Sequence, residues 1–301
     1  MAAIEFEDVR VSYRTRRGVV TALAGLDLSV PEGGVFGFLG ANGAGKTTAI
    51  RAAVGLLRGA RGRVSVLGHN VPRDLARAID RIGALVEQPS FFASFTGRRN
   101  LELLGRTRGI GAKRVDAVLN QVGLGTRGDT RFATYSLGMK QRLGVAAALM
   151  KDPELLILDE PANGLDPPGI LEVRTLLRGL AAEGRTVFVS SHILSEVEHT
   201  CDRVAIVAHG KCIANGRVEE LLRGTTGRYR VRANDRRVPD VLARSGWTVH
   251  TDGDGAFVVD VGTAPSDLVT RALAEADIFL SELTPVARSL EEVFLELTEE
   301  P

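Results

Sequence analysis

The eight residues Gly40-Ala41-Asn42-Gly43-Ala44-Gly45-Lys46-Thr47 admit few folds. A nearly continuous apolar run over 35–39 precedes them and suits a strand buried on both faces. A helical pattern over about 46–57 follows. Strand, glycine-rich turn and helix in that order make a phosphate-binding loop. Glycines let backbone N–H groups crowd a phosphate chain without a Cβ clash, and the helix start adds unsatisfied donors and a positive dipole. Gly40, Asn42, Gly43 and Gly45 therefore form the expected cradle. Lys46 supplies a point charge to the outer phosphates, Thr47 a hydroxyl to Mg2+, and Thr48 a hydrogen bond to an inner phosphate.

Leu155-Leu156-Ile157-Leu158 ends in Asp159-Glu160. A buried strand ending in acids delivers carboxylates to the edge of a sheet, where open α/β sheets bind ligands. Asp159 is expected to hold Mg2+, directly or through water. Glu160 is expected to orient or polarise an attacking water. An isolated Asp-Glu is an ordinary surface turn; the phosphate-binding loop turns this one into a hydrolytic candidate.

The first 30 residues read as short strands, from Ile4, Phe6, Val9, Val11 and Tyr13 to a second apolar stretch over 19–30, and suit an antiparallel sheet. A turn is expected over 58–62, a helix over 73–81 and a short strand over 82–86. From 91 to about 149 apolar residues such as Leu101, Leu104, Val115, Val118 and Leu119 recur at helical spacing, giving a helical insert at about 89–150. Strands return at 155–158 and 186–191 with a helix at about 169–182 between them, so the core is α/β with a parallel sheet. Composition shifts at 223–227. Strands at 229–231, 248–250 and 257–261 and helices at 266–276 and 290–297 make 225–301 a small α+β appendage to a domain of residues 1–224. A total of 301 residues suits two domains at about 150 each.

Basic and acidic residues number 38 and 37, a net charge of +1, which gives no electrostatic reason to expect nucleic acid or an anionic membrane as partner. Cys201 and Cys212 make neither a metal-site nor a disulfide-framework pattern, which fits a reducing compartment. No run approaches the ~18 apolar residues of a membrane span, and MAAIEFEDVR lacks the order of a secretory leader. A cytoplasmic chain that reaches a membrane only as a bound subunit is expected.

Taken together, these residues resemble the ATP-binding subunits of ABC transporters. Gln88, after a strand and before the helical insert, is similar to the family's Q-loop. Tyr135-Ser136-Leu137-Gly138-Met139-Lys140-Gln141-Arg142 resembles its signature, Ala162-Asn163-Gly164-Leu165-Asp166 its D-loop, and His192 its switch histidine. Tyr13, 27 residues before Gly40, stands where the family stacks an aromatic on adenine. These motifs cover about residues 4–220. The signature departs from the commonest form, with Leu137 in place of a glycine and Met139 in place of a glutamine. That wording, with Glu160-Pro161-Ala162-Asn163-Gly164-Leu165-Asp166-Pro167 and Ser289-Leu290-Glu291-Glu292-Val293-Phe294, resembles the bacterial antibiotic- and drug-exporter branch.

The resemblance implies an ATPase at the cytoplasmic face of the membrane, docked on a separately encoded transmembrane permease. Two copies would sandwich ATP head-to-tail, with Ser136 and Gly138 of one copy over the nucleotide of the other. It further implies that Glu160, His192 and Gln88 are catalytic, with Gln88 also a ligand to Mg2+ beside Thr47 and Asp159. Phe91, Phe92 and Phe95 are candidates for permease docking. Leu290, Val293, Phe294 and Leu297, at helical spacing, are expected to join two copies or to stabilise the permease-bound state, or else to cover apolar surface of the core. Two other readings are a soluble ABC-type ATPase acting on ribosomes or nucleic acid, and an ATP sensor without turnover. The near-zero net charge weighs against the first, and Glu160 with His192 against the second.

Overall fold

A computed structural model describes residues 2–16, 18–87, 90–222, 227–252, 254–286 and 288–298. The chain divides into two units, Met1–Val218 with Leu297–Pro301, and Glu219–Glu296. The boundary expected at 224/225 falls outside the described residues.

The larger unit opens with two long strands, β1 (Ala2–Thr15) and β2 (Gly18–Pro31), then β3 (Gly34–Leu39) and α1 (Lys46–Ala53). Next come β4 (Arg61–Val66), β5 (His69–Val71) and β6 (Ile82–Leu85). The insert holds α2 (Gly97–Arg106), α3 (Ala112–Gln121) and α4 (Leu137–Leu149). Then follow β7 (Leu155–Leu158), α5 (Pro167–Ala182), β8 (Thr186–Ser191), α6 (Leu194–Thr200), β9 (Arg203–Ala208) and β10 (Lys211–Arg217); α7 (Val218–Leu222) starts on the last residue of this unit and continues into the smaller one.

Strands β2-β1-β4-β5 form an antiparallel sheet. The second sheet runs β10-β9-β3-β8-β7-β6 and is parallel except where β10 turns back on β9. Its central strands are apolar without alternation because both faces are covered: every residue of β7 and β8 is buried. Phe188 on β8 sits between Phe36 and Phe38 of β3, with ring centroids 5.9 and 5.3 Å apart, and this stack joins the core shared by both sheets and α1. Among described residues 90–150 the insert is helical, with one isolated bridge between Thr96 and Arg131.

Three expectations need correction. The first helix ends at Ala53, not 57, because the chain turns at Gly55, which has φ +73°. The helix expected over 73–81 is two separate 3-10 turns, Leu75–Arg77 and Ile79–Arg81, which link β5 to β6 around Ala78. The arginine-rich segment read as a turn over 58–62 leads directly into β4, whose Val64 and Val66 pair with Phe6 and Ile4.

The smaller unit contains β11 (Arg228–Arg232), α8 (Val238–Arg244), β12 (Thr248–Thr251), β13 (Phe257–Asp260), α9 (Asp267–Ala274), β14 (Glu282–Pro285) and α10 (Leu290–Thr298). Strand order β12-β13-β11-β14, all antiparallel, gives the β-α-β-β-α-β ferredoxin-like arrangement. Tyr229 and Val231 point into its core with Val238, Leu242, Val269 and Leu273. On α10, Leu290 and Val293 are buried within the chain and Phe294 is half-buried.

Replacing Phe188 by alanine empties the centre of the aromatic stack. We expect it to destabilise the larger unit by about 3–5 kcal/mol, read as a lowered denaturant midpoint. A loss below 1 kcal/mol would show that the stack is not a keystone of the core.

Candidate functional site

Strands β3, β8 and β7 are adjacent and parallel, with Leu39 opposite Ser191 and Leu158 opposite Val189. Their carboxyl ends therefore deliver Gly40, His192 and Asp159-Glu160 to one edge of the sheet. Gly40 N–H donates to Ser191 C=O at 3.3 Å, which ties the loop to the strand beside it.

The loop is built around backbone. Gly45 occupies the N-cap of α1 at φ +106°, and no side chain caps that terminus. A Cβ at Gly45 would stand 2.5 Å from Ala22 C=O, and one at Gly40 2.5 Å from Val207 C=O. Only glycine fits either place, and the first-turn N–H groups remain directed at the concavity. Asn42 and Gly43 lie on its exposed rim.

Lys46 is 6% exposed, and its ammonium donates to Gly40 C=O at 2.6 Å and Ala41 C=O at 3.3 Å. It also pairs with Glu160 Oε1 at 3.1 Å. Thr47 and Thr48 follow, half-buried, and Thr48 Oγ1 lies 3.4 Å from the hydroxyl of Tyr13. The aromatic ring from β1 thus stands beside the start of α1.

On the acidic side, one hydroxyl organises two residues. Ser190 Oγ donates to Asp159 Oδ1 at 2.5 Å and accepts from Glu160 N–H at 2.9 Å. Glu160 takes φ +49°, a left-handed conformation uncommon for its type, and its C=O accepts from Asn163 N–H at 3.2 Å. Its Oε2 faces His192 Nδ1 at 2.8 Å while Oε1 holds Lys46, so one carboxylate bridges the loop lysine and the histidine.

Behind His192, Ser191 Oγ accepts from Ile193 N–H at 3.0 Å and reaches Glu196 Oε2 at 3.4 Å. Burial pushes the Glu196 carboxyl above its ordinary range, and the Ser191 bond opposes that shift. Helix α6 then lies directly on β3: a Cβ at Gly37 would be 2.7 Å from Val197 Cγ1 and 2.9 Å from Cys201 Sγ.

The structure thus gathers Tyr13, Lys46, Thr48, Asp159, Glu160 and His192 at one edge. Ser136 and Gly138 sit elsewhere. Ser136 caps α4, its Oγ accepting from Met139 N–H at 3.2 Å. The groove beside it is lined by Leu137, Gly138, Gly164, Leu165 and Asp166, and not by the phosphate loop. Gln88 lies outside the described residues. Sequence reasoning missed Ser190. Its signal was the change from apolar to polar at the end of 186–191, just before His192.

The ABC transporter family model matches residues 23–163. The chain is 40% identical over 99% of its length to the uncharacterized ABC transporter ATP-binding protein YhcH of Bacillus subtilis, covering 96% of that protein. It is 39% identical to the bacitracin transport ATP-binding protein BcrA of Bacillus licheniformis, over 90% of each chain. It is 40% identical to the daunorubicin resistance ATP-binding protein DrrA3 of Streptomyces coeruleorubidus, over 94% of this chain and 93% of that one. Among solved structures, cbiO1 of Clostridium perfringens, part of an ABC transporter complex, superposes with a TM-score of 0.65 at 27% identity, over 73% of this chain and 90% of that one. Among the described residues no helix is long and apolar enough to cross a membrane. The chain belongs to the ABC transporter ATP-binding proteins, on the side of that family whose members are named for antibiotic and drug transport, and it is an ATPase.

Proposed function

We propose that residues 1–224 bind ATP on the 40–48 loop and hydrolyse it in a head-to-tail pair of copies, driving export of an antibiotic or similar drug through a separate membrane permease. In this reading residues 225–301 are an accessory domain. The observation that carries the chemistry is the chain Lys46–Glu160–His192, in which one carboxylate bridges the phosphate-loop cation and the histidine. The bacitracin and daunorubicin relatives support the class of cargo.

The residues act in a physically ordered way. Lys46 presents its N–H groups to the outer phosphates, whose oxygens compete with Glu160 for the same donor. Once released from that pairing, Glu160 Oε1 is available to take a proton from water, while His192 holds Oε2 and with it the orientation of the carboxylate. Tyr13 offers a ring face to the base. Ser136 and the start of α4 offer donors to the outermost phosphate of ATP held by the other copy.

The site also fits Mg2+. Thr47 and Asp159 are hard oxygen donors, and Ser190 fixes one carboxylate oxygen of Asp159. Among the described residues no cluster of His, Cys, Asp and Glu could hold a metal by itself, which suits an ion that completes its shell with phosphate oxygens and water. Bound there, Mg2+ would neutralise charge on the phosphates.

For the permease, Phe92 and Phe95 are 63% and 37% exposed, with rings 5.2 Å apart, and are suited to docking. Phe91 instead packs edge-on against Phe132 inside the insert.

Lys46→Ala should abolish ATP binding in a fluorescent-nucleotide titration. Glu160→Gln should bind normally, with turnover lowered about 100-fold or more. His192→Ala should lower turnover at nearly unchanged affinity and melting temperature. Wild-type turnover in Glu160→Gln would remove that residue from catalysis, and drug export persisting in cells that carry it with the permease would sink the transport reading. Ser190→Ala should raise the Mg2+ concentration needed for half-maximal ATPase about 10–100-fold, as loss of a bond that orients a metal ligand does. An unaltered Mg2+ requirement would deny Ser190 that task.

A further inference from the structure

Helix α6 carries a carboxylate that the hydrolytic chain Lys46–Glu160–His192 does not include. Glu196 stands in its first turn, four residues after His192. Its Oε2 accepts from Ser191 Oγ at 3.4 Å, and the same hydroxyl accepts from Ile193 N–H at 3.0 Å. Ser191 and Ile193 flank His192, so the hydroxyl closes a tight turn around the histidine. His192 Nδ1 then meets Glu160 Oε2 at 2.8 Å. A run of polar contacts thus leads from Glu196, through Ser191 and the turn, to the histidine and the carboxylate beyond it.

The second oxygen of Glu196 has a different setting. Among the described residues four side-chain N or O atoms are buried without a hydrogen-bond partner in the protein. Two of the four, Glu196 Oε1 and Arg174 Nε, belong to residues that line one cavity between α5, α6 and β8. Glu160, Ser190 and Ser191 line it as well, and its volume is about 30 Å³. A water needs roughly 10–15 Å³ and at least two polar partners, so this cavity has room for one or two. A carboxylate oxygen and a guanidinium N–H are partners of the right kind, and buried polar atoms in folded proteins are rarely left without one. Burial is the largest influence on the Glu196 carboxyl and pushes it up, while the Ser191 bond and the charges of His192 and Arg174 pull it down. The guanidinium of α5 is thus near enough to act on the acid of α6, although Arg174 Nε and Glu196 Oε1 do not bond each other.

We propose that Glu196 is a positioning residue for His192, acting through the Ser191 hydroxyl, and that one or two ordered waters in the cavity join its second oxygen to Arg174. This rests on the reading that His192 aligns Glu160 for the hydrolysis of ATP. The carboxylate is then held from two sides, by Ser191 on β8 and, through water, by Arg174 on α5. Held there, Glu196 fixes the hydroxyl, the hydroxyl fixes the turn, and the turn fixes the imidazole against Glu160. Glu196 touches neither nucleotide nor attacking water. Its loss weakens turnover rather than binding, because the 40–48 loop is not part of this path.

The test is steady-state ATPase kinetics of the full chain, with a melting temperature for every variant. Glu196→Leu keeps the bulk of the side chain but cannot accept a hydrogen bond. Its kcat should fall about five- to twentyfold with KM within about twofold, and its melting temperature should not fall. Glu196→Gln, which keeps an acceptor oxygen, should return kcat to within about threefold of wild type. Ser191→Ala should reproduce Glu196→Leu, and the two together should be no worse than either alone. Arg174→Leu should lower kcat about two- to fivefold and add nothing in the Glu196→Leu background. A crystal structure should show ordered water within hydrogen-bond distance of both Glu196 Oε1 and Arg174 Nε. Unchanged kcat in Glu196→Leu, a loss that Glu196→Gln does not recover, additive losses in the double variant, or a fall in kcat that tracks melting temperature would each overturn the positioning role. A dry cavity, or an Arg174→Leu variant with wild-type kcat, would overturn the link to Arg174. His192→Ala separates the proposal from its premise. If His192→Ala lowers turnover while Glu196→Leu is silent, the positioning role alone fails. If His192→Ala is itself silent, the reading of His192 fails and the role of Glu196 with it.

Discussion

A nearly buried ammonium governs the arrangement of this protein. An unpaired cation in a low-dielectric interior is costly, and Lys46 avoids that cost through two carbonyls of its own loop and the carboxylate of Glu160. The carbonyls require the loop to fold back over α1. The carboxylate requires β7 to end within reach, which the adjacency of β3, β8 and β7 provides. Glu160 must in turn be aimed, and the Ser190 hydroxyl does this by holding its N–H while binding Asp159. The charge that would attract phosphates and the carboxylate that would activate water are thus set in place by the same interaction.

What could be read from sequence was whatever has a local chemical signature. Lys46, Thr47, Asp159, Glu160 and His192 each follow an apolar strand, and a run that turns abruptly polar marks its own carboxyl end. The helical insert was legible because Leu101, Val118 and Leu119 repeat at helical spacing. Strand β4 was not, because its first half is Arg61-Gly62-Arg63 and its place is decided by pairing with β1. The segment 73–81 has helical composition, yet the short span between β5 and β6 admits only single turns. Strand β14 was equally silent, since Glu282–Pro285 gains its register from β11 alone. Ser190 escaped because a serine in a strand becomes informative only when both of its partners are seen.

The two units differ in how they use charge. In the larger one, charge concentrates at a sheet edge around a few residues. In the smaller one it is spread and cancelled: Arg230 alone meets Asp252, Asp254 and Glu282. Arg230 and Arg232 together hold the Asp254 carboxyl down to about 2, so that group remains ionised across the ordinary pH range. Such a face contributes solubility and fixed geometry without chemistry of its own.

The contact at Gly37 has a mechanical consequence. With Val197 and Cys201 already against the bare backbone of β3, α6 has no room to travel inwards. Any displacement of α6, which begins two residues after His192, is therefore outwards from β3. A single hydrogen atom in place of a side chain thus works as an end-stop, giving this part of the molecule one direction of travel and a reproducible place to return to.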